Sequence, residues 1–164
     1  IRSVEFTITG LLAAIMLILD DSSPEAVCVD KAKPISAARL LDALVARWPR
    51  LANRLHYLEA DIADVALSSS DVVVCVHGCG QLTDLVLQRA TAASAAVAVL
   101  PCCHDTKVSD DGSLAGWMKG DIAVDIMRAV SLRMAGYQIF TKTIPAHITP
   151  KNRLLIGKPQ QPST

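Results

Sequence analysis

The stretch that decides the fold runs Val72-Val73-Val74-Cys75-Val76-His77-Gly78-Cys79-Gly80-Gln81-Leu82-Thr83-Asp84-Leu85. Its first five residues are apolar and mostly β-branched, so they read as a strand buried on both faces. The chain then turns on two glycines, and Leu82 to Ala93 reads as a helix that begins at once. A buried strand that leaves through a glycine-bearing turn into a helix is the repeating unit of a parallel α/β sheet.

The flanking sequence repeats that unit in both directions. Arg2 to Ile8 reads as the first strand, and Gly10 to Leu19 as an apolar helix ended by Asp20-Asp21-Ser22-Ser23-Pro24. Ala26 to Asp30 is a short buried strand. Ser36 to Trp48 carries Leu40, Leu41, Leu44 and Val45 at helical spacing and stops near Pro49. Arg54 to Glu59 is the third strand and Ala95 to Leu100 the fifth. Gly116 to Ala135 reads as a long helix with Gly136 as its stop. No helix fits between the last two strands, Tyr137 to Ile144 and Arg153 to Gly157, so they pair antiparallel. The expected fold is a three-layer α/β sandwich around a mostly parallel, seven-stranded, Rossmann-like sheet with an antiparallel closing strand. Residues 1–158 form one domain and 159–164 a frayed tail. The first strand follows Ile1 almost directly, so an N-terminal portion is expected to be absent.

Composition narrows the function. The chain has 164 residues, about one domain, and 51% of them are hydrophobic, enough for a core. Lys+Arg and Asp+Glu are 16 each, so no overall field draws in DNA, RNA or acidic lipid. Aromatic residues are 4%, too few for a base-stacking platform. The apolar run Leu11 to Leu19 is shorter than the roughly 20 residues a bilayer span needs. Five cysteines, an odd number with no disulfide spacing, point to a reducing, cytoplasmic setting. Arg39, Arg47, Arg50 and Arg54 read as a solvated helix surface, with a modest RNA-facing patch as the alternative.

Open parallel sheets bind ligands beyond the C-terminal ends of their strands. Asp30 ends the second strand, where a carboxylate accepts both hydroxyls of a ribose; a solvated helix cap is the alternative. Glu59-Ala60-Asp61-Ile62 offers an acid for an adenine amino group and an aliphatic face, or again a cap. At the fourth strand's end, His77 is a candidate donor or base, and Gly78 lets backbone approach a ligand. Thr83 and Asp84 fit the first turn of a helix. Pro101-Cys102-Cys103-His104-Asp105 follows the fifth strand. If strands four and five are neighbours, Cys79, Cys102, Cys103 and His104 converge. Zinc centres favour cysteines spaced by two or more residues. Adjacent Cys102 and Cys103 do not easily share one ion, so no metal is expected and the thiols read as pocket lining.

His77 to Leu85, as His-x-Cys-Gly-x-x-Thr-Asp-Leu, together with Cys102-Cys103-His104, resembles a branch of the class I S-adenosylmethionine-dependent methyltransferases. The tRNA ribose methyltransferases with an L-C-G-x-x-T-D segment and a C-C-H-H motif are similar. Ile148-Thr149-Pro150-Lys151-Asn152-Arg153 is similar to a T-P-K-N turn in some of these domains. The resemblance implies a methyltransferase sheet that binds S-adenosyl-L-methionine. In the cofactor set it implies, Glu5 is the acid of the first motif, followed by Gly10. Asp30 and Lys31 lie at the ribose, Asp61 and Ile62 at the adenine, and His77 and Gly78 on the methionine side. Cys102, Cys103 and His104 would face the methyl acceptor as the catalytic group, with His104 or His77 as general base. The acceptor is RNA, protein or a small molecule; no membrane or DNA partner is implied.

One motif departs from the family. An acid and a glycine-rich turn, E/D-x-G-x-G-x-G, is expected after the first strand, but the chain reads Glu5-Phe6-Thr7-Ile8-Thr9-Gly10-Leu11. Thr7 and Thr9 stand where glycines would let backbone pass against the cofactor. A rebuilt loop that still binds, an altered sequence, or lost binding each account for it. Two other function classes stay open: a non-catalytic scaffold, and a nucleotide-binding oxidoreductase. The oxidoreductase lacks its G-x-G-x-x-G here.

Overall fold

The computed structural model describes residues 1–6 and 10–160. The order is β1 (Arg2–Phe6), α1 (Leu11–Leu19), β2 (Ala26–Asp30), α2 (Ile35–Arg47), β3 (Leu55–Glu59), β4 (Asp71–Val76), α3 (Gln81–Ala92), β5 (Ala96–Leu100), α4 (Gly120–Met134), β6 (Tyr137–Thr143) and β7 (Arg153–Pro159). Short 3-10 turns lie at Pro49–Leu51 and Ile62–Asp64. The seven strands form one sheet in the order β3-β2-β1-β4-β5-β7-β6. Neighbours from β3 to β5 pair parallel, and β7 runs antiparallel to both β5 and β6. This is the expected mostly parallel, Rossmann-like sheet with one antiparallel closing strand.

The layers follow from the two-residue period of a strand. In β2, Ala26 and Cys28 join the cluster that holds Ala13 and Leu17 of α1. Val29, one residue on, joins the cluster with Val86, Leu87 and Ala90 of α3 and Leu132 of α4. Helices α1 and α2 therefore cover one face, and α3 and α4 the other. Strand order reverses where β1 lies between β2 and β4, so the ligand crevice of such a sheet falls at their C-terminal ends.

Several boundaries differ from the sequence reading. Helix α4 starts at Gly120, because two glycines four residues apart, Gly116 and Gly120, weaken any helix there. The preceding segment instead turns through bonds from the N–H groups of Trp117 and Met118 to the Leu114 carbonyl. Strand β7 continues to Pro159, opposite Tyr137, and the Gln160 N–H bonds the Gly136 carbonyl. Pro159 and Gln160 are thus tied to the sheet, not frayed; residues 161–164 lie outside the described residues. So do Thr7 and Thr9, the departure in the first motif, and Ile8, the expected end of the first strand.

Candidate functional site

The register brings the C-terminal strand ends to one rim. Phe6 lies opposite both Val29 and Cys75, Asp30 opposite Glu59, and Val76 opposite Leu100. Asp30, Asp61, His77 and Cys102 each sit at or just beyond one of those ends.

Glu5 is 2% exposed, and its carboxylate accepts the Ala13 N–H at 2.7 Å. Negative charge in the first turn of α1 suits the helix dipole and satisfies an N–H that has no intrahelical partner. Gly10 caps that helix with φ +73°, and a Cβ there would lie 2.6 Å from Cys28 Sγ. Both conformation and space therefore require glycine.

The β2 and β3 ends are held by local bonds. Asp30 Oδ1 accepts the Lys31 N–H at 2.6 Å, and Asp61 accepts the Ala63 N–H at 3.0 Å. Lys31 Nζ reaches Asp61 at 3.0 Å, joining the two loops. The Ala63 N–H, and then Lys31, hold the Asp61 carboxyl below its ordinary range. Ile62 is 7% exposed and packs into the core on the α3 side.

The β4 and β5 ends are stitched to each other. The His77 N–H donates to the Leu100 carbonyl at 3.1 Å, and the Gly80 N–H to the Cys103 carbonyl at 3.0 Å. His77 is exposed and has φ 63°, a left-handed conformation that costs a non-glycine residue about 1–2 kcal/mol. Gly78 is buried: a Cβ would meet Cys75 Sγ at 2.8 Å and Thr83 Oγ1 at 3.0 Å. Thr83 donates its hydroxyl to the Gly78 carbonyl at 2.6 Å, so it fixes the turn as well as opening the helix.

All five cysteines are free thiols. Cys79 Sγ lies 3.0 Å from Cys102 Sγ, which lies 3.6 Å from Cys103 Sγ. Burial, with Cys79 and Cys103 beside it, pushes the Cys102 thiol up to about 12. Adjacency in sequence, the reason for expecting no shared ion, does not keep the sulfurs of Cys102 and Cys103 apart.

His104 turns to different partners. Its ring is 3% exposed and Nε2 lies 2.7 Å from Asp125 Oδ1. Nδ1 is buried with no hydrogen-bond partner among the described residues. Asp125 also accepts from Arg153 Nε at 2.7 Å and from Arg128 Nη1 at 3.3 Å. Arg128, 4% exposed, grips Asp84 through two bonds of 2.7 and 3.0 Å. Arg153 bonds Asp121 at 2.9 Å.

Asp121, Asp125 and Arg128 were not singled out in the sequence; Arg153 entered only as the end of the T-P-K-N turn and the start of the last strand, and Asp84 as a first-turn acid within the Thr-Asp-Leu motif. One signal was present: Arg128 sits midway between Val124 and Leu132, on the buried stripe of α4. An arginine in an apolar stripe calls for buried acids. A groove of about 960 Å³ between α3 and α4 is lined by Asp84 and Arg128 but by neither Asp30 nor Asp61. The arginines around α2 are partly used up: Arg50 and Arg54 both pair with Asp21, at 2.6 and 2.9 Å, and Arg47 lies over the Trp48 ring.

A family model described as a methyltransferase domain matches residues 10–110. The chain belongs to that methyltransferase-domain family. Solved structures carry the same fold. This methyltransferase domain is similar to a putative rRNA methylase from Clostridium thermocellum, at 12% identity and TM-score 0.66, covering 98% of this chain and 87% of that one. It is similar to the m1A22 tRNA methyltransferase TrmK of B. subtilis, at 10% identity and TM-score 0.63, covering 98% and 60%. It also resembles the O-methyltransferase NcsB1 of neocarzinostatin biosynthesis in complex with S-adenosyl-L-homocysteine, at 14% and 0.60, covering 96% and 49%. The domain thus spans less than two thirds of the last two proteins' length. No curated protein matches it by sequence. Among the described residues, no helix is long and apolar enough to cross a membrane.

Proposed function

We propose that this domain binds S-adenosyl-L-methionine at the rim and transfers its methyl group to a hydroxyl or amine of an RNA, protein or small-molecule acceptor. The observation that carries the reading is the pair of acids, Asp30 and Asp61, at the ends of adjacent strands beside the order reversal. Bound there, the cofactor supplies an electrophilic methyl on a sulfonium. The residues present fit its donor set. Asp30 offers carboxylate oxygens to two ribose hydroxyls, and Asp61, steadied by Lys31 and the Ala63 N–H, accepts from an adenine amino group. Glu5 and Gly10 hold the start of α1 beneath the site, and His77 and Gly78 line its methionine side. Ile62, packed inward, backs the adenine pocket from the core.

His104 serves as general base. The Asp125 carboxylate beside Nε2 favours the tautomer with its proton there and leaves Nδ1 to take the acceptor's proton; Nδ1 is buried, so this role requires the Cys102–Cys103 loop to open to the acceptor. Cys102 and Cys103 shape the acceptor side. The exposure of His77 favours a second assignment, in which that ring takes the proton. Five free thiols suit a reducing, cytoplasmic compartment.

Thermal-shift titration separates the function classes. Ligand at 100 times its Kd adds about 2.7 kcal/mol, roughly 5–10 °C for a domain of this size. S-adenosylhomocysteine is expected to give that shift, and NAD none. A shift with NAD alone points to an oxidoreductase. No shift with either points to a scaffold that keeps the fold.

A further inference from the structure

We propose that Cys79, Cys102 and Cys103 form a three-sulfur site for one thiophilic divalent cation of the zinc class. Two loops bring them together from β4 and β5, neighbouring parallel strands. The bonds from the His77 N–H to the Leu100 carbonyl and from the Gly80 N–H to the Cys103 carbonyl lock those loops in register. The sulfurs are thus convergent before any ion arrives.

Their spacing suits a single ion. All three sulfurs lie within 4.8 Å of one another, with edges of 3.0 and 3.6 Å already given. Such a triangle lies on a circle of about 2.4 Å radius at the widest, and a zinc–sulfur bond is about 2.3 Å. A tetrahedral ion with bonds of about 2.3 Å sets its sulfurs about 3.8 Å apart, so side-chain shifts of under about 1 Å bring all three onto one ion. A disulfide between Cys79 and Cys102 would use two sulfurs and leave Cys103 crowded beside the bridge; an ion uses all three. Cys102 is buried and anchors the site, while Cys79 and Cys103 are exposed and give the ion its entry. The open side leaves a fourth position for water, as in zinc sites with three protein ligands. Three sulfurs favour zinc over magnesium or calcium, which prefer oxygen. The site stands on thiol geometry alone, so it is independent of the methyl-transfer reading: a chain that ignores S-adenosylhomocysteine can still bind the ion, and the converse holds.

Cobalt(II) titration tests it. The full chain, reduced, stripped by chelator and kept anaerobic, should develop a thiolate-to-cobalt charge-transfer band that saturates at one ion per chain and is displaced by zinc. Cys79→Ser and Cys103→Ser change exposed positions and should fold as the parent does by circular dichroism. Each should weaken cobalt binding by at least about tenfold, the lower bound for changes even to outer-shell partners. Cys28→Ala, remote from the cluster, should keep the band. Absence of the band in the parent chain, or an equal band in the Cys79→Ser/Cys103→Ser double variant, overturns the proposal.

Discussion

The two halves of the rim hold their polar groups by opposite means. At the β2 and β3 ends, Asp30 bonds the next residue's N–H and Asp61 bonds an N–H two residues on. The ion pair between those loops, Lys31 with Asp61, joins side chains 79% and 39% exposed, and the Lys33 N–H reaches Glu59 beside it at 3.0 Å. At the β4 and β5 ends, the bonds run between distant parts of the chain. Asp84 meets Arg128 from 44 residues away, and Asp125 meets Arg153 across 28 and His104 across 21. The first half leaves carboxylates at the surface for a ligand's hydroxyl and amino groups. The second half is finished before any ligand comes, and its charges are matched internally. Binding belongs to the open half, and positioning to the built one.

Exchanging single residues between these roles should break that division, and the largest effect is expected at His104. His104→Ala should lower tritiated-methyl transfer into RNA or protein by about 10²–10⁴-fold. Its calorimetric affinity for S-adenosylhomocysteine should stay within about threefold of the parent, because the acids that hold the adenosyl group, Asp30 and Asp61, lie in the other half. Equal losses of turnover and affinity would make His104 a shaper of the pocket, and a loss confined to His77→Ala would move the base to the exposed ring.

Stability should divide the halves as well. Arg128→Met removes the guanidinium that grips Asp84 and leaves Asp125 to Arg153 and His104, and breaking a buried pair from one side costs about 3–5 kcal/mol. The exposure of Asp84 puts the expectation at the lower end. Lys31→Ala removes an exposed pair and should cost about 0–1 kcal/mol. Urea melts of both variants give the contrast, and similar midpoints would erase it.

Asp30→Ala tests the open half. Losing hydrogen bonds to a charged acceptor costs about 1.5–3 kcal/mol, so affinity for S-adenosylhomocysteine should fall by about tenfold or more. The melting temperature of the free domain should hardly move, since among the described residues the Asp30 carboxylate is bonded to its neighbour's N–H and the backbone bond from the Ala60 N–H to the Asp30 carbonyl is kept.

A smaller effect is expected outside the rim, at Asp71. Burial would raise its carboxyl, but the two bonds from Arg2, 2.9 and 2.7 Å, and the Ser68 N–H hold it below the ordinary range. A carboxyl depressed on folding contributes stability that is complete above its unfolded pKa and disappears as pH falls through the folded value. Asp71→Asn should therefore flatten the acid limb of the stability curve and leave the rim's ligand binding unchanged. An acid limb as steep as the parent's would remove Asp71 from that account.

What could be read from the sequence follows the same division. The sheet was legible because each strand announces itself locally: Val72 to Val76 is apolar throughout, and Ala26 to Asp30 nearly so. Asp30 and Asp61 stood out because a strand's end is a local feature. Asp125 and Arg153 did not, because nothing within a few residues of either says that it will meet His104 or Asp121. Arg128 carried a trace, its place in the buried stripe of α4. The close approach of Cys102 and Cys103 depends on side-chain directions that a β5 exit loop alone does not specify. The start of α4 shifted for a plainer reason, two glycines read as part of a helix they weaken.

Crystals of the domain grown with S-adenosylhomocysteine test the central claim most directly. The account predicts adenosyl density over the C-terminal ends of β1 and β4, with the ribose hydroxyls on Asp30 and the adenine beside Asp61. Density for the ligand in the groove between α3 and α4, or a bound adenosyl group touching neither acid, would contradict it.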